Sequence, residues 1–562
     1  MSVPVVRTAK PAPVRRCLAS ALALALCAGA AQAATFTAGS EAELIQAIND
    51  ANANAGGDTI EVGSDITLTA QLPVITKALT IEGAGGVNRA LTRDDTGANA
   101  CSPTATNAFR LIDASADLTL SDLTLSGGCN LFDQGGAVRV QNAELTVARS
   151  TISGNQTFFP DPAGYCYGVC IGGGIAVLYG SASISDSTIS GNVVNGYGGT
   201  GGGIAAYESD LVITNSTISG NAAPNGLYAG GGGVYGIGVF PNGPVGAVTI
   251  TNSTLADNRA PFGAGLGAIV DAVTIVDSRV TGNIGNGSHA RGAGILIQNT
   301  YVNATSRVTR TLISGNTIDA ELGYGGGIRV NGGSFELVDS TVVDNSVTGT
   351  VKARAGAIMA EIADVTITNS TLSGNTVNGP ASGGGAIMVD SDNDLVSGSF
   401  VLRNSTVTGN SSNNTGGGIY IKCDTATALV PPVTIESSII AGNQGAGGLD
   451  AIGTEPATAA VVTADHSLIQ GSVDVATGTV SWDATTQSLL NLEPMLLPLA
   501  DNGGITPTCA LMPSSPALDQ GTNSQSLEYD QRGWPFARQV GSGVDIGAYE
   551  LNPEIIFAGG FD

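Results

Sequence analysis

The stretch Gly201 to Asn221, GGGIAAYESDLVITNSTISGN, has close copies down the whole middle of this 562-residue chain. Each copy opens on a small-residue box, G-G-G-I or G-G-A-I, and closes on a run ending S-T-I-S-G-N or near it. The closing residue recurs at Asn155, Asn192, Asn221, Asn258, Asn283, Asn316, Asn345, Asn375, Asn410 and Asn443. From the first Gly of the box to that Asn the distance is 20 residues in the copies starting at Gly135, Gly172, Gly201 and Gly325, while successive Asn lie 25 to 37 apart. The core of the unit is constant and its loops vary. A period of this length describes stacked units, none of which can bury its apolar face alone. Within a unit the apolar positions alternate, as at Leu211, Ile213 and, past a turn at Asn215, Ile218. That is the spacing of short strands, too brief for helices.

Two or three short strands per unit, joined by Gly and Asn, describe one rung of an all-β solenoid, a parallel β-helix. The closing Asn suits a left-handed corner, where its amide can bond to the Asn of the next rung. The Gly box removes Cβ where the wall bends or a neighbouring rung comes close. A phosphate-cradling glycine loop needs a strand before it, a helix after it and a Lys, and Gly201 to Gly203 has none of these. The formal charge is -25, and loss of Arg7, Lys10, Arg15 and Arg16 with an N-terminal leader takes it to about -29. Nucleic acid and anionic membranes are poor partners for such a chain.

In chain order, residues 1–33 read as a secretory signal with a basic start, an apolar core and an A-x-A site at Ala31 to Ala33. Residues 34–110 hold an N-terminal cap and the first rungs. Ser40 and Glu43 form a capping box for a helix whose apolar face is Leu44, Ile45 and Ile48, ending near Ala53. Strands are expected at Asp58 to Val62, Ile66 to Leu68 and Ala78 to Ile81, with a turn at Gly83 to Gly86. Residues 111–471 are the repeats, interrupted by loops at Gln156 to Ile171, Ala222 to Gly230 and Cys423 to Pro432, on the scale of a groove rim. Residues 472–550 form a turn-rich C-terminal cap or anchor, and 551–562 a tail. No run after the leader is long enough to span a membrane, and the chain is expected to act as a monomer.

Six cysteines follow the leader: Cys101, Cys129, Cys166, Cys170, Cys423 and Cys509. An even count in an exported chain favours disulfides. The expected pairs are Cys101 with Cys129, Cys166 with Cys170, and Cys423 with Cys509. Zinc at Cys166 and Cys170 lacks a His nearby in sequence, because only His289 and His466 exist. Asp390, Asp392 and Asp394, in DSDND, have the spacing of a turn that could hold Ca²⁺, without the Gly and Glu of an EF-hand; no other cofactor is indicated. A polysaccharide lyase would need a Lys or Arg base, and Lys77, Lys352, Lys422, Arg139, Arg329 and Arg403 are the cations considered. A hydrolase would need two carboxylates. Asp186, Asp277 and Asp339 share a repeat slot with Asn215, Asn252 and Asn369, so they read as corner residues first. The sequons at Asn215, Asn252, Asn369 and Asn404 belong to the repeat.

The G-G-G-I and S-T-I-S-G-N repeats resemble those of bacterial right-handed β-helix proteins of the pectate-lyase-like class. They are similar to the G-G-A-I and F-x-x-N repeats of chlamydial polymorphic outer-membrane proteins, with Ile or Val in place of Phe. Leu499 to Glu550, carrying NGG-x-TPT, SPALDQG, DQRG and VDIGAYE, resembles the choice-of-anchor Q domain of exported bacterial proteins. The IIFAGGFD end is similar to short tails on secreted gammaproteobacterial proteins. These resemblances imply a right-handed solenoid at the surface of, or secreted from, a Gram-negative cell. The signature Asp pairs, R-I-K and G-H-G of pectate lyases and polygalacturonases are absent. The expected role is therefore an adhesive or structural surface for polysaccharide or a host or cell-surface ligand. The alternative is a polysaccharide lyase or glycoside hydrolase with its groove at the loops after Asn155 and Asn221.

Overall fold

A computed structural model describes residues 33–95, 100–131, 133–159, 171–224, 226, 229–238, 246–298, 305–391, 398–423, 431–454, 462–474 and 488–552. Each rung carries three short strands where the repeat places them. In the unit opened by Gly201 they are Ile204–Tyr207, Asp210–Thr214 and Thr217–Ser219. We call the three stacks they belong to the box wall, the middle wall and the closing wall. Equivalent strands pair in parallel, so that Ile175, Ile204, Val234 and Leu266 form one file. The middle and closing walls each run through fifteen strands among the described residues.

Alternation decides what faces inward. Leu211, Ile213 and Ile218 are fully buried, as are their counterparts on other rungs, and together they make one aliphatic column. Burying each such side chain is worth about 2 kcal/mol. Left-handed residues turn the corners: Glu208 at φ 45, Asn215 at φ 50, Gly220 at φ 63 and Gly201 at φ 70. A Cβ on Gly202 would lie 2.4 Å from the Gly232 carbonyl oxygen of the next rung, so the box needs glycine there.

The closing Asn differs from expectation in one respect. The left-handed residue is the one before it, Gly in eight rungs and Asp257 and Asp344 in the other two, and the Asn turns its side chain into the interior. All ten closing Asn are fully buried. The backbone N–H and Nδ2 of Asn192 both donate to Asn221 Oδ1 at 3.0 Å, and Nδ2 also donates to the Ile152 carbonyl at 2.9 Å. The same amide-to-amide links run from Asn155 to Asn443. A second ladder went unread in the sequence. The Ser that opens each S-T-I-S run is buried at the previous corner. Thus Ser187 N donates to Ser216 Oγ, and Ser187 Oγ donates to the Ser185 carbonyl. The two ladders satisfy corner amides that the aliphatic core cannot.

At the N-terminal end the helix Glu41–Ala53 starts on Ser40, whose Oγ accepts from Glu43 N. The Glu43 carboxylate bonds Gly39 N rather than the N-cap amide. Its buried face is Leu44, Ala47, Ile48 and Ala51, with Ile45 only partly covered. A strand not foreseen, Thr35–Ala38, precedes it and pairs in parallel with Asp58–Val62. Ile66–Leu68 forms as expected, and the next strand is Leu79–Gly83.

The C-terminal segment, expected as a cap, lies along the outer side of the closing wall. Thr341 Oγ1 donates to the Pro507 carbonyl, Ala548 N to Thr406 Oγ1 and Thr522 N to Ser437 Oγ. Beyond them, Ile439, Ala441 and Leu468 pack with Leu511, Ala517 and Ile546. The outward positions of the closing wall explain the placement. Thr151, Thr188 and Thr217 stay partly exposed, whereas Thr341, Thr371, Thr406 and Ile439 are covered. The DQRG and GAYE stretches are knitted together: Arg532 lies between the rings of Phe536 and Tyr549, pairs with Asp530, and donates to the Glu550 carbonyl.

Candidate functional site

The residues singled out in the sequence end in very different places. Cys101 and Cys129 form a disulfide, and Cys166 and Cys170 lie outside the described residues. Cys509 is a buried free thiol beside Ser373, on the closing wall, so the expected tie to Cys423 is not made. Cys423 ends the strand Ile419–Cys423 on a different wall. Burial pushes the Cys509 thiol up to about 11.

Asp392 and Asp394 lie outside the described residues, and Asp390 is not in a turn. It belongs to the strand Ile387–Ser391, with its carboxylate buried between Arg354 Nη1 at 2.9 Å and Lys422 Nζ at 3.4 Å. Two cations therefore flank it within the strand layer. Among the described residues no three His, Cys, Asp or Glu converge as metal ligands. Asp186, Asp277 and Asp339 are left-handed corners like Asn215, Asn252 and Asn369. Arg403 pairs with Glu436 at 3.1 Å. Arg139 chelates Asp113 and reaches Asp133, and Arg110 pairs with the same two carboxylates. Burial lowers the Arg110 guanidinium against their pull.

A groove runs beside the box wall, while residues 160–170, 225, 227 and 228 of the loops after Asn155 and Asn221 lie outside the described residues. It starts where the segment after the closing Asn lengthens into strands, at Ile284–Arg291, Thr317–Tyr324 and Ser346–Arg354. These follow Asn283, Asn316 and Asn345 rather than Asn155 and Asn221, and they pair in parallel as a fourth flank. The residue just before each Gly box forms one file along it: Phe262, Arg291, Tyr324, Arg354. Across the box, the second residue of each box-wall strand faces outward: Tyr235, Gly267, Leu296, Arg329, Met359, Met388, Tyr420. The two files complement each other in size. The Tyr235 ring lies against Gly230 and Gly267, and the Tyr420 ring against Gly383, where a Cβ would come within 3 Å of the ring.

Aromatic rings and cations alternate in this groove. The Arg291 guanidinium sits 5.2 Å from the Phe262 ring centre and 6.0 Å from that of Tyr324, and Arg329 lies 5.7 Å from Tyr324. Such contacts hold a cation without neutralising it. Arg329 pairs with Glu361, the outward residue one rung on, and Arg354 and Lys422 share Asp390. Four cations thus meet two carboxylates, on a chain whose net charge is -25. Burial and then Arg329 push the Arg291 guanidinium down, while burial raises Asp390 against Lys422 and Arg354. At the upper end a cavity of about 440 Å³ is lined by Tyr235, Phe262, Ile269, Leu296, His289, Arg291 and Gln298. His289 also borders a second cavity of about 310 Å³, walled by Tyr197, Pro224 and Pro261. Pro224 belongs to the loop after Asn221, so that loop touches the edge of the groove.

Sequence reasoning singled out Arg329, Asp390 and Lys422 but missed Arg291, Tyr324 and Phe262. The signal was available as the residue preceding each box, in F-G-A-G, R-G-A-G, Y-G-G-G and R-A-G-A.

No helix among the described residues is long and apolar enough to cross a membrane. No curated protein matches the chain. Residues 105–300 match the family model described as the right handed beta helix region. With its parallel strands stacked rung on rung in long sheets, the chain is an all-β, right-handed parallel β-helix protein.

Proposed function

We propose that this protein is an exported β-helix whose outer groove binds an extended polysaccharide, serving as an adhesive or structural surface without catalysis. The observation that carries the reading is the groove between the box wall and the flank, where aromatic rings alternate with cations at rung spacing. Rings suit the apolar faces of sugars, and rungs about 4.8 Å apart offer a regular series of contacts to a regular polymer. Export rests on the leader-like residues 1–33 and on the resemblance of Leu499 to Glu550 to the choice-of-anchor Q domain, which also points to the outer surface of a Gram-negative cell.

A lyase or glycoside hydrolase is the second reading, favoured by Glu361 and Asp390 side by side on paired strands with Lys422 next to them. Both carboxylates are committed to cations, which supports binding over chemistry. The test incubates the purified mature protein with a polysaccharide panel, with and without Ca²⁺. Bound polymer, unsaturated-product absorbance and reducing ends are recorded together. Retention of at least one polysaccharide without new ends is the expected result. New ends or unsaturated product would establish an enzyme, and no retention across the panel would overturn the groove reading.

A further inference from the structure

Among the described groove cations, Arg291 differs from the rest. Arg329 has Glu361, and Arg354 and Lys422 have Asp390, whereas Arg291 has no carboxylate partner. Its Nε is buried without a hydrogen-bond partner. The guanidinium is held between two rings and borders the 440 Å³ cavity, so its position is set before any ligand arrives.

We propose that this cavity is a subsite for one carboxylate-bearing sugar residue, a uronic acid unit of an extended chain; the proposal rests on the polysaccharide-binding reading above. Three features select the ligand. A guanidinium offers a planar fork that a carboxylate matches with two parallel hydrogen bonds, and a fork already stacked on rings loses little freedom on binding. Tyr235, Phe262, Ile269 and Leu296 supply apolar walls that suit the C–H face of a pyranose ring, while His289 and Gln298 add polar edges for its hydroxyls. The other groove cations are engaged by their own carboxylates, which leaves one fork for one anion. A neutral polymer would use the site less well than a chain that presents a carboxylate at this rung.

The test measures binding of the full-length mature protein by calorimetry. The probes are a trisaccharide of uronic acid, its methyl ester, a sulfated neutral trisaccharide and the unsulfated neutral one. The ester keeps the shape and removes the charge. Wild type is expected to bind the acid at least tenfold more tightly than the ester, with the preference shrinking as salt rises. Arg291→Leu is expected to lose roughly 10- to 100-fold for the acid, the range for hydrogen bonds to a charged group, and little for the ester. Arg291→Lys keeps the charge without the fork and should fall between. Arg279→Leu, an exposed cation on the closing wall, should change nothing. Equal affinity for acid and ester, or an Arg291→Leu protein with an unchanged circular-dichroism spectrum and full affinity, would overturn the subsite and leave the groove reading standing. Tighter binding of the sulfated probe would overturn the choice of carboxylate. Silence with every trisaccharide would overturn the subsite, and the groove reading would then stand or fall on retention of whole polysaccharides. If Arg291→Leu does not fold, the comparison of acid with ester on wild type and Arg291→Lys decides.

Discussion

Two charged clusters sit on the outer face of the same wall and have opposite characters. Near the N-terminal end, Arg110 and Arg139 face Asp113 and Asp133, two cations against two carboxylates, each bonded to both partners. Further along the same wall, Arg291 is held between rings, Arg329 pairs with Glu361, and Arg354 and Lys422 pair with Asp390. The first cluster is closed: every charge has its counterpart, and Arg110 also donates to the Gln134 and Gly135 carbonyls. The second is open: Arg291 makes no salt bridge among the described residues and lies against aromatic rings, next to a cavity. A balanced buried network serves the scaffold, whereas an unbalanced one beside open space is poised for something that supplies the missing charge.

Breaking this comparison starts with its largest effect. Arg110→Ala leaves Asp113 and Asp133 to share Arg139 alone and is expected to cost about 3 kcal/mol, read as a fall in the thermal or denaturant midpoint. Arg291→Leu strands no carboxylate and should change stability by less than about 1 kcal/mol. Equal losses would mean that both clusters are structural.

The Asn ladder is common ground for the two regions. Asn316→Ala removes the acceptor of Asn283 N and Nδ2 and the donor to the Val280 carbonyl, all fully buried. A loss of about 3 kcal/mol in denaturant unfolding is expected, and of similar size for Asn155→Ala beside the first cluster. Unequal losses would show that the groove region is held less tightly than the closed one.

Reduction of Cys101–Cys129 sharpens the contrast, because this bridge closes a 28-residue segment next to the balanced cluster. Chain entropy puts its worth at about 3 kcal/mol. Thermal melts with and without reductant should differ by that amount, while glycan binding in the distant groove stays unchanged.

A smaller effect concerns the C-terminal segment, which buries acids with too few cations. Burial pushes Asp339 up to about 6, with Asp530 adding to the shift and Asn369 and Arg310 opposing it. Glu550 is pushed up to about 8, first by burial and then by Asp545. Both groups hold protons in the docked form that they would release when exposed. Docking is therefore strongest below their exposed values, near pH 4, and weakens as pH rises through about 6 for Asp339 and about 8 for Glu550. Amide exchange in residues 500–550 should speed up over that window, and Asp339→Asn should flatten its lower part. A segment that opens more readily at pH 4 than at pH 7 would refute the assignment.

Residues that repeat were legible and residues that alternate between rungs were not. Leu211, Ile213, Ile218 and the closing Asn appear in every unit because the same interior is rebuilt each time, and a parallel stack places like above like. That periodicity determined the strands, the core and the hydrogen-bonded Asn file from sequence alone, and the capping box located the first helix. It missed the left-handed role of the residue before each Asn, Gly or Asp, because Asn tolerates positive φ as well. The groove is another matter. Phe262, Arg291, Tyr324 and Arg354 differ in type, and their loops differ in length, so nothing in the linear order says that they share a file. Only rung-to-rung pairing put Arg291 between two rings, gave Asp390 two cation partners, and laid the C-terminal segment along the closing wall. The physical reason is common to all three. A repeat specifies its inward face through packing that each unit must satisfy, while the outer face is specified by whichever residues the stacking brings side by side.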